Sequence, residues 1–373
     1  MGFLTYFLRD MEQILFPNRE QHAIPSMDGA LSPNDRLDAC TLIGEPLPGA
    51  DDALAAGDGA FYVSAGKQVL RLSGEGFGER SVVARFEGDA GGLAFHPDGS
   101  LLVCVSGQGL AMVDRIGRQT WLNQVADQPL HCLTSVVVAS DGSIFATNGS
   151  NRNLPEDWCT DLMQKNRLGR LIACGQGLAQ PQVLLDSLHY PHGLAIAPDG
   201  RSLWFTESWN HRLNRVPLRG REIGKVATVN GNLPGYPARL AKARNGGFWL
   251  SLFAVRTHLV EFVLREDDFR EEMMRTIDPA LWVAPALATS GHCLEPMQFG
   301  SIKALGIQKP WAPPRSYGLL VRIDEDGDPM LSLHSRVGGH HHGITAACET
   351  AQGLVIVSKG SGRLLLDRSG GRA

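Results

Sequence analysis

Histidine is the residue type in this chain with the most chemistry to offer. His192 stands in Pro191-His192-Gly193, directly ahead of an apolar stretch. A run of three, His340, His341 and His342, lies between glycines, and His131 precedes another apolar stretch. A near-neutral imidazole suits general acid–base work, and a neutral one suits a transition metal. Asp51 is the carboxylate that would orient such a histidine or serve as a third ligand, with its neighbour Asp52 taking that part if the register slips by one. Two imidazoles and a carboxylate (Asp51, His192 and His342) would fit zinc, iron or manganese. These residues are far apart in sequence, so spacing alone does not test the grouping.

The elements that must bring them together are repeats. Pro191 to Gly220 reads as strand, tight turn, strand, turn, strand. Asp199-Gly200 is a turn pair, because Gly accepts positive φ and Asp bonds its own backbone. Comparable units open near Asp51, Ala90, Leu133, Pro237 and His342, marked by turn residues Asp58, Asp98, Asp141, Asn245 and Gln352. From Asp58 to Asn245, through Asp199, successive turn residues stand 40, 43, 58 and 46 apart. A period near 40–50 residues with several strands per unit predicts an all-β, six-bladed β-propeller. The last interval, 107 residues, is too long for one blade. The excess, residues 265–316, is read as a lid-like insertion over one face, with a helix-like segment from Glu266 to Ile277 and a loop around Trp311, Pro313 and Pro314. The strand pair Tyr317 to His334 then completes blade five, and a strand within 36–47 pairs into blade six to close the ring. The propeller thus occupies 36–373, behind an N-terminal amphipathic helix and arm over 1–35.

Counting seven residues back from each turn residue gives one position per blade at the channel mouth: Asp51, Gly91, Thr134, His192, Ala238, and in blade six Thr345 or the His340–His342 run. Arg239, Thr134 and His131 are candidates for holding substrate. Trp158, Trp209, Phe253, Trp282 and Trp311 would roof a pocket or pack as core. Glu207, on a second strand, reads as an anchor for turn backbone.

Composition agrees with a globular β protein. Hydrophobic residues are 43% and charged residues 20%, while 43 glycines in 373 residues exceed the usual share of roughly 7%. A net charge of −4 leaves no basic footprint for nucleic acid. Seven widely spaced cysteines with no CxxC argue for reduced thiols and a cytoplasmic setting rather than a disulfide framework. The stretch 1–16 has apolar residues at helical spacing and is too short to span a membrane. Packing on the body is the first reading, with membrane-surface or partner-chain contact the other; a homo-oligomer remains open.

Three segments carry a resemblance: LPGYPARLAKARNGGFWLSL (233–252), YPHGLAIAPDGRSLWFTESWNHRLNRV (190–216) and GADDALAAGDGAFYVS (49–64). They resemble strictosidine synthase-like proteins, within the wider gluconolactonase and paraoxonase superfamily. The resemblance implies a six-bladed propeller with its site at the channel mouth. Metal-dependent members hold a calcium-type ion with a Glu, one or two Asn and an Asp. Those positions fall on Asp51, Thr134, His192 and the pair Ala238-Arg239, too few acidic oxygens for a conventional calcium site. The plant synthases use a late Glu, which falls near Thr345. The reading that follows is a small-molecule enzyme, first a lactone or ester hydrolase. In it His192 or an imidazole of the His340–His342 run activates water, Asp51 orients or ligates, and Arg239 or Thr134 holds the oxyanion. A metal-independent condensing or lyase enzyme and a non-catalytic binding propeller are the alternatives.

Overall fold

The computed structural model describes residues 23–219, 223–289 and 314–369, and the backbone of two short strands, Lys303–Ala304 and Ile307–Gln308. The expected helix over 1–16 and the residues Cys293, Trp311 and Pro313 lie outside them.

Local chemistry at the turns sets the hairpins. Asp58, Asp98, Asp141 and Asp199 each accept, through Oδ1, the backbone N–H two residues on, at 2.8–3.1 Å. The glycine after each has positive φ. Between these turns β-branched and aliphatic residues form six four-stranded antiparallel sheets. The innermost strands are Ala50–Ala55, Ala90–Phe95, Leu133–Val138, Pro191–Ile196, Gly235–Lys242 and Ile344–Thr350. Each packs against the next, and the sixth returns to the first, so the sheets form a ring. The ring closes as the sequence predicts, with Thr41–Leu42 as the outermost strand of blade six, paired to Leu366 and Leu365.

Strand alternation places the core. In blade two, Leu101, Val103 and Val105 face blade one, whereas Leu102 and Cys104 face blade three. The same alternation in every blade gives six wedges of buried side chains, one between each pair of neighbours. Each buried Leu, Val or Phe in a wedge contributes about 1.5–3 kcal/mol.

A seventh cluster lies outside the wedges, where the connections of blades three to five meet two insertions. The long connection inside blade three carries helix α1 (Trp158–Met163). Blade five carries α2 (His258–Arg265) and α3 (Asp267–Thr276) between its second and third strands. The third and fourth strands of blade five, Gly318–Ile323 and Pro329–Ser335, are the expected pair. Helix α2 departs from the sequence reading, which ran blade five's unit on to Leu264. Thr257 caps it by accepting from Val260 N at 3.3 Å, and Val260, Val263 and Leu264 bury one face. Among the described residues no helix is long and apolar enough to cross a membrane.

Candidate functional site

The site begins as a backbone irregularity repeated six times. The pairing of inner strand to second strand slips between Ala50 and Ala53, Ala90 and Leu93, and Leu133 and Ser135. It slips again between Pro191 and Leu194, Pro237 and Leu240, and Ile344 and Ala346. Such a bulge frees residues from the ladder and re-aims their side chains. The freed residues include Asp51, Gly91, Thr134, His192, Ala238 and Thr345, the positions found by counting back from the turns.

Backbone groups released by the bulges still need partners. Neighbouring hydroxyls supply them. Thr134 Oγ1 donates to Pro191 O (2.8 Å), Thr206 Oγ1 to Ala238 O (3.0 Å), and Thr345 Oγ1 to Asp51 O (2.7 Å). Inner strands approach so closely that a Cβ on Gly193 would stand 2.2 Å from Ala238 O, so only glycine fits there.

Above this ring is a pocket of about 260 Å³. Its polar floor is formed by Asp51, Thr134, His192, Arg239, Thr345 and Lys359, and its walls by Leu133, Pro155, Trp158, Tyr190, Phe253 and Leu287. Asp89 and Glu156 add carboxylates to the lining. The blade-three connection is pinned over the pocket by Ser106 Oγ, which donates to Glu156 Oε2 at 2.8 Å. Trp158 then meets Phe253 edge-on at 5.2 Å.

Asp51 is gripped by two cations, Arg239 Nη2 at 2.5 Å and Lys359 Nζ at 2.6 Å. Burial pushes its carboxyl pKa up, but Arg239 and Lys359 outweigh it and hold the group ionised, well below the usual range. Asp52, its Oδ2 3.6 Å from Arg239 Nε, is tied mainly to backbone. It accepts from Leu93 N and Ala53 N, both at 2.8 Å, knitting blade one to blade two. Burial raises its pKa against the pull of Arg239.

Among the described residues no group bonds either ring nitrogen of His192, and its Nδ1 is sealed from solvent. Burial first, then the field of Arg239, lowers its pKa to about 3, with Asp51 pulling the other way. The imidazole is therefore neutral at pH 7. The ring sits 5.7 Å from Phe253 and 6.0 Å from Tyr190, which stacks on Trp209 at 4.4 Å.

Asp51, Thr134, His192, Arg239 and Phe253 thus meet in one pocket. Thr134 lines it, but its hydroxyl is spent on Pro191 O, so its carbonyl is the group presented to Arg239. Trp209 lies behind the wall, donating Nε1–H to Asp161 Oδ1 at 2.8 Å, and His131 does not line the pocket. The histidine run is the main correction. It forms the crossover from blade five to blade six and does not reach the pocket. His342 pairs Nδ1 with Ser316 Oγ (2.8 Å) and Nε2 with Arg336 O (3.1 Å), His341 Nδ1 lies 3.4 Å from Ser361 Oγ, and His340 is exposed. Thr345 takes the blade-six position instead. Glu207 is the backbone anchor expected, accepting from His189 N and Asn214 Nδ2 at 2.8 Å each.

Lys359 was missed by sequence reasoning, and so was Ser106. A second ring would have found both: the residue that follows each second strand, namely Gly66, Ser106, Gly149, Ser208, Arg256 and Lys359. Each of these donates its backbone N–H to the segment leading into or starting its own blade's inner strand.

A divalent metal does not fit this donor set. Both oxygens of Asp51 already face cations, both nitrogens of His342 are engaged elsewhere, and among the described residues no three His, Cys, Asp or Glu are placed to hold an ion.

Residues 134–220 match the family model for strictosidine synthase. The adipocyte plasma membrane-associated protein of Salmo salar is 26% identical over 303 residues, 72% of each chain. The strictosidine synthase-like 13 protein of Arabidopsis thaliana is 26% identical over 250 residues, 66% of this chain and 56% of its own length. Among solved structures, a gluconolactonase from Xanthomonas campestris aligns with TM-score 0.57 at 14% identity, covering 87% of both chains. The calcium-binding protein regucalcin from Agrobacterium tumefaciens gives 0.55 at 14%, covering 87% of this chain and 92% of its own. The fold is therefore a six-bladed propeller, shared with these two solved structures. Within that fold, residues 134–220 are similar to the strictosidine synthase family model, and adipocyte plasma membrane-associated and strictosidine synthase-like proteins are similar to the chain over about two thirds of its length.

Proposed function

We propose that the protein is a small-molecule hydrolase that opens lactones or esters in the pocket at the channel mouth. The observation that carries this reading is His192, a neutral imidazole without a hydrogen-bond partner among the described residues, in the same pocket as the ammonium of Lys359. With Nδ1 sealed, Nε2 is the nitrogen a pocket water can reach. That water attacks the substrate carbonyl carbon and passes its proton to Nε2. The C–O bond then breaks, and the alkoxide leaving group takes the proton back from the imidazolium.

Lys359 supplies the oxyanion partner. An ammonium has three donors, and Asp51 takes one of them. Its charge is also among the causes that depress the basicity of His192. Negative charge growing on the carbonyl oxygen offsets that field, so the proton affinity of His192 rises as the transfer proceeds. The aromatic and aliphatic walls suit a substrate with an apolar body. The position where the resemblance puts the synthases' late Glu holds Thr345, whose hydroxyl is bonded to Asp51 O, so that position offers no carboxylate for a condensing reaction.

The test is hydrolysis of a panel of γ- and δ-lactones and aryl esters, followed by acid release. Turnover above the blank that disappears in His192→Gln supports the reading. No turnover on any member counts against it.

A further inference from the structure

An oxygen cage lies at the channel floor, and a guanidinium occupies it. Arg239 Nη2 donates to Asp51 Oδ2 (2.5 Å) and Thr134 O (2.8 Å), Nη1 to Asp51 O (2.9 Å), and Nε to Thr134 O (3.1 Å). Asp52 Oδ2 stands 3.6 Å from Nε. The oxygens come from blades one and three and the arginine from blade five, and all four residues are buried. Two carboxylates and two bulge-freed carbonyls are the donor type that hard cations take. Here the donors converge on a side chain.

The ring of positions beside the bulges explains how an arginine fits. It reads Asp52, Gly92, Ser135, Gly193, Arg239 and Ala346: five short side chains and one long enough to cross the channel. Around nothing, those buried oxygens would leave Asp51 with Lys359 on one oxygen and the other turned into the cage without a counter-charge. The guanidinium meets it with a charge that is never deprotonated and with donors fixed in a fork.

We propose that Arg239 is the resident cation of this site. Its guanidinium stands where a hard divalent ion would sit in such a cage, so the folded protein needs no metal. Removing the guanidinium uncovers a divalent-cation site made of Asp51, Asp52 and the carbonyls of Asp51 and Thr134. Lys359 holds the other oxygen of Asp51 and competes with an incoming ion, so Arg239→Gln/Lys359→Met binds more tightly than Arg239→Gln. The claim holds whatever reaction the pocket performs, because its readout is ion binding.

The full-length chain, dialysed against EDTA, is titrated with Tb³⁺ and with Ca²⁺ while aromatic-sensitised Tb³⁺ luminescence and the melting temperature are followed. For the wild type we expect no saturable luminescence and a melting temperature indifferent to EDTA or millimolar Ca²⁺. For both variants we expect saturable luminescence, displaced by Ca²⁺, and a melting temperature that climbs with Ca²⁺. A wild type destabilised by EDTA or stabilised by Ca²⁺ overturns the proposal, as does a folded double variant without saturable binding. Should a variant lose its cooperative melt in chelator, recovery on adding Ca²⁺ supports the proposal and failure to recover overturns it.

Discussion

His192→Gln is expected to flatten the acid dependence of stability by an amount set by one proton. In the folded chain the imidazole stays neutral, because burial and then the field of Arg239 lower its pKa to about 3. In the unfolded chain it titrates near its ordinary value of about 6.5. Between those values the unfolded state holds a proton that the folded state does not, so stability present above pH 6.5 is lost as pH falls. One proton is worth about 1.4 kcal/mol per pH unit, or about 2 kcal/mol between pH 6 and 4.5. His192 is only half-buried, with its remaining surface on the pocket, but the slope requires only that its folded pKa lie below that window. His211 and His334, lowered to about 4 chiefly by burial, steepen the wild-type curve and are common to both proteins, so the difference isolates His192. Urea unfolding at pH 7, 6, 5.5, 5 and 4.5, with m-values held equal, measures it. Parallel curves for the two proteins would mean that His192 is protonated or solvated in the native state, and would refute this account of the site.

Lys359→Met removes the proposed oxyanion donor while Arg239 still holds Asp51. It is expected to lower kcat by about 10²–10³-fold with little change in KM. Because Lys359 is among the causes that depress His192, the same variant raises the imidazole pKa, and the acid limb of a pH–rate profile moves up. Away from the pocket, Glu261 accepts from Arg256 Nε at 2.8 Å and lies 3.4 Å from His211 Nε2, tying α2 to blades four and five. Burial pushes the Glu261 carboxyl up, but its bonds to His211 and Arg256 bring it down to about 2. Glu261→Gln takes that carboxylate from two buried basic residues and is expected to cost about 3–5 kcal/mol in urea unfolding at pH 7.

The propeller was legible because its signals are local. Asp-Gly turns fix hairpins within four residues, and the interval between them counts blades whatever the strands contain. The pocket ring was legible for the same reason, since the bulge lies at a constant offset from the turn. Helix α2 was not, because FAVRTHLVEFVLR is apolar enough to read as strand. The distinguishing features, Thr257 as a cap and apolar residues at helical spacing from Val260, are short. The histidine run misled because clustering in sequence says nothing about which way a crossover loop faces. The imidazoles of His341 and His342 meet Ser361, Ser316 and Arg336, and that of His340 faces solvent. The reach of Arg239 across the channel was invisible for a different reason. Its partners, Asp51 and Thr134, are 188 and 105 residues away and meet it only when the ring has closed.

The central claim, that the channel mouth hydrolyses a small carbonyl substrate with His192 as proton carrier, turns on one comparison. It is kcat/KM of His192→Gln against wild type, on the best lactone or aryl ester of the panel, at pH 7 and with matched melting curves. General-base transfer contributes about 10²–10⁴-fold, so a fall of that size carried by kcat is the predicted result. A folded His192→Gln that retains wild-type kcat/KM would contradict it.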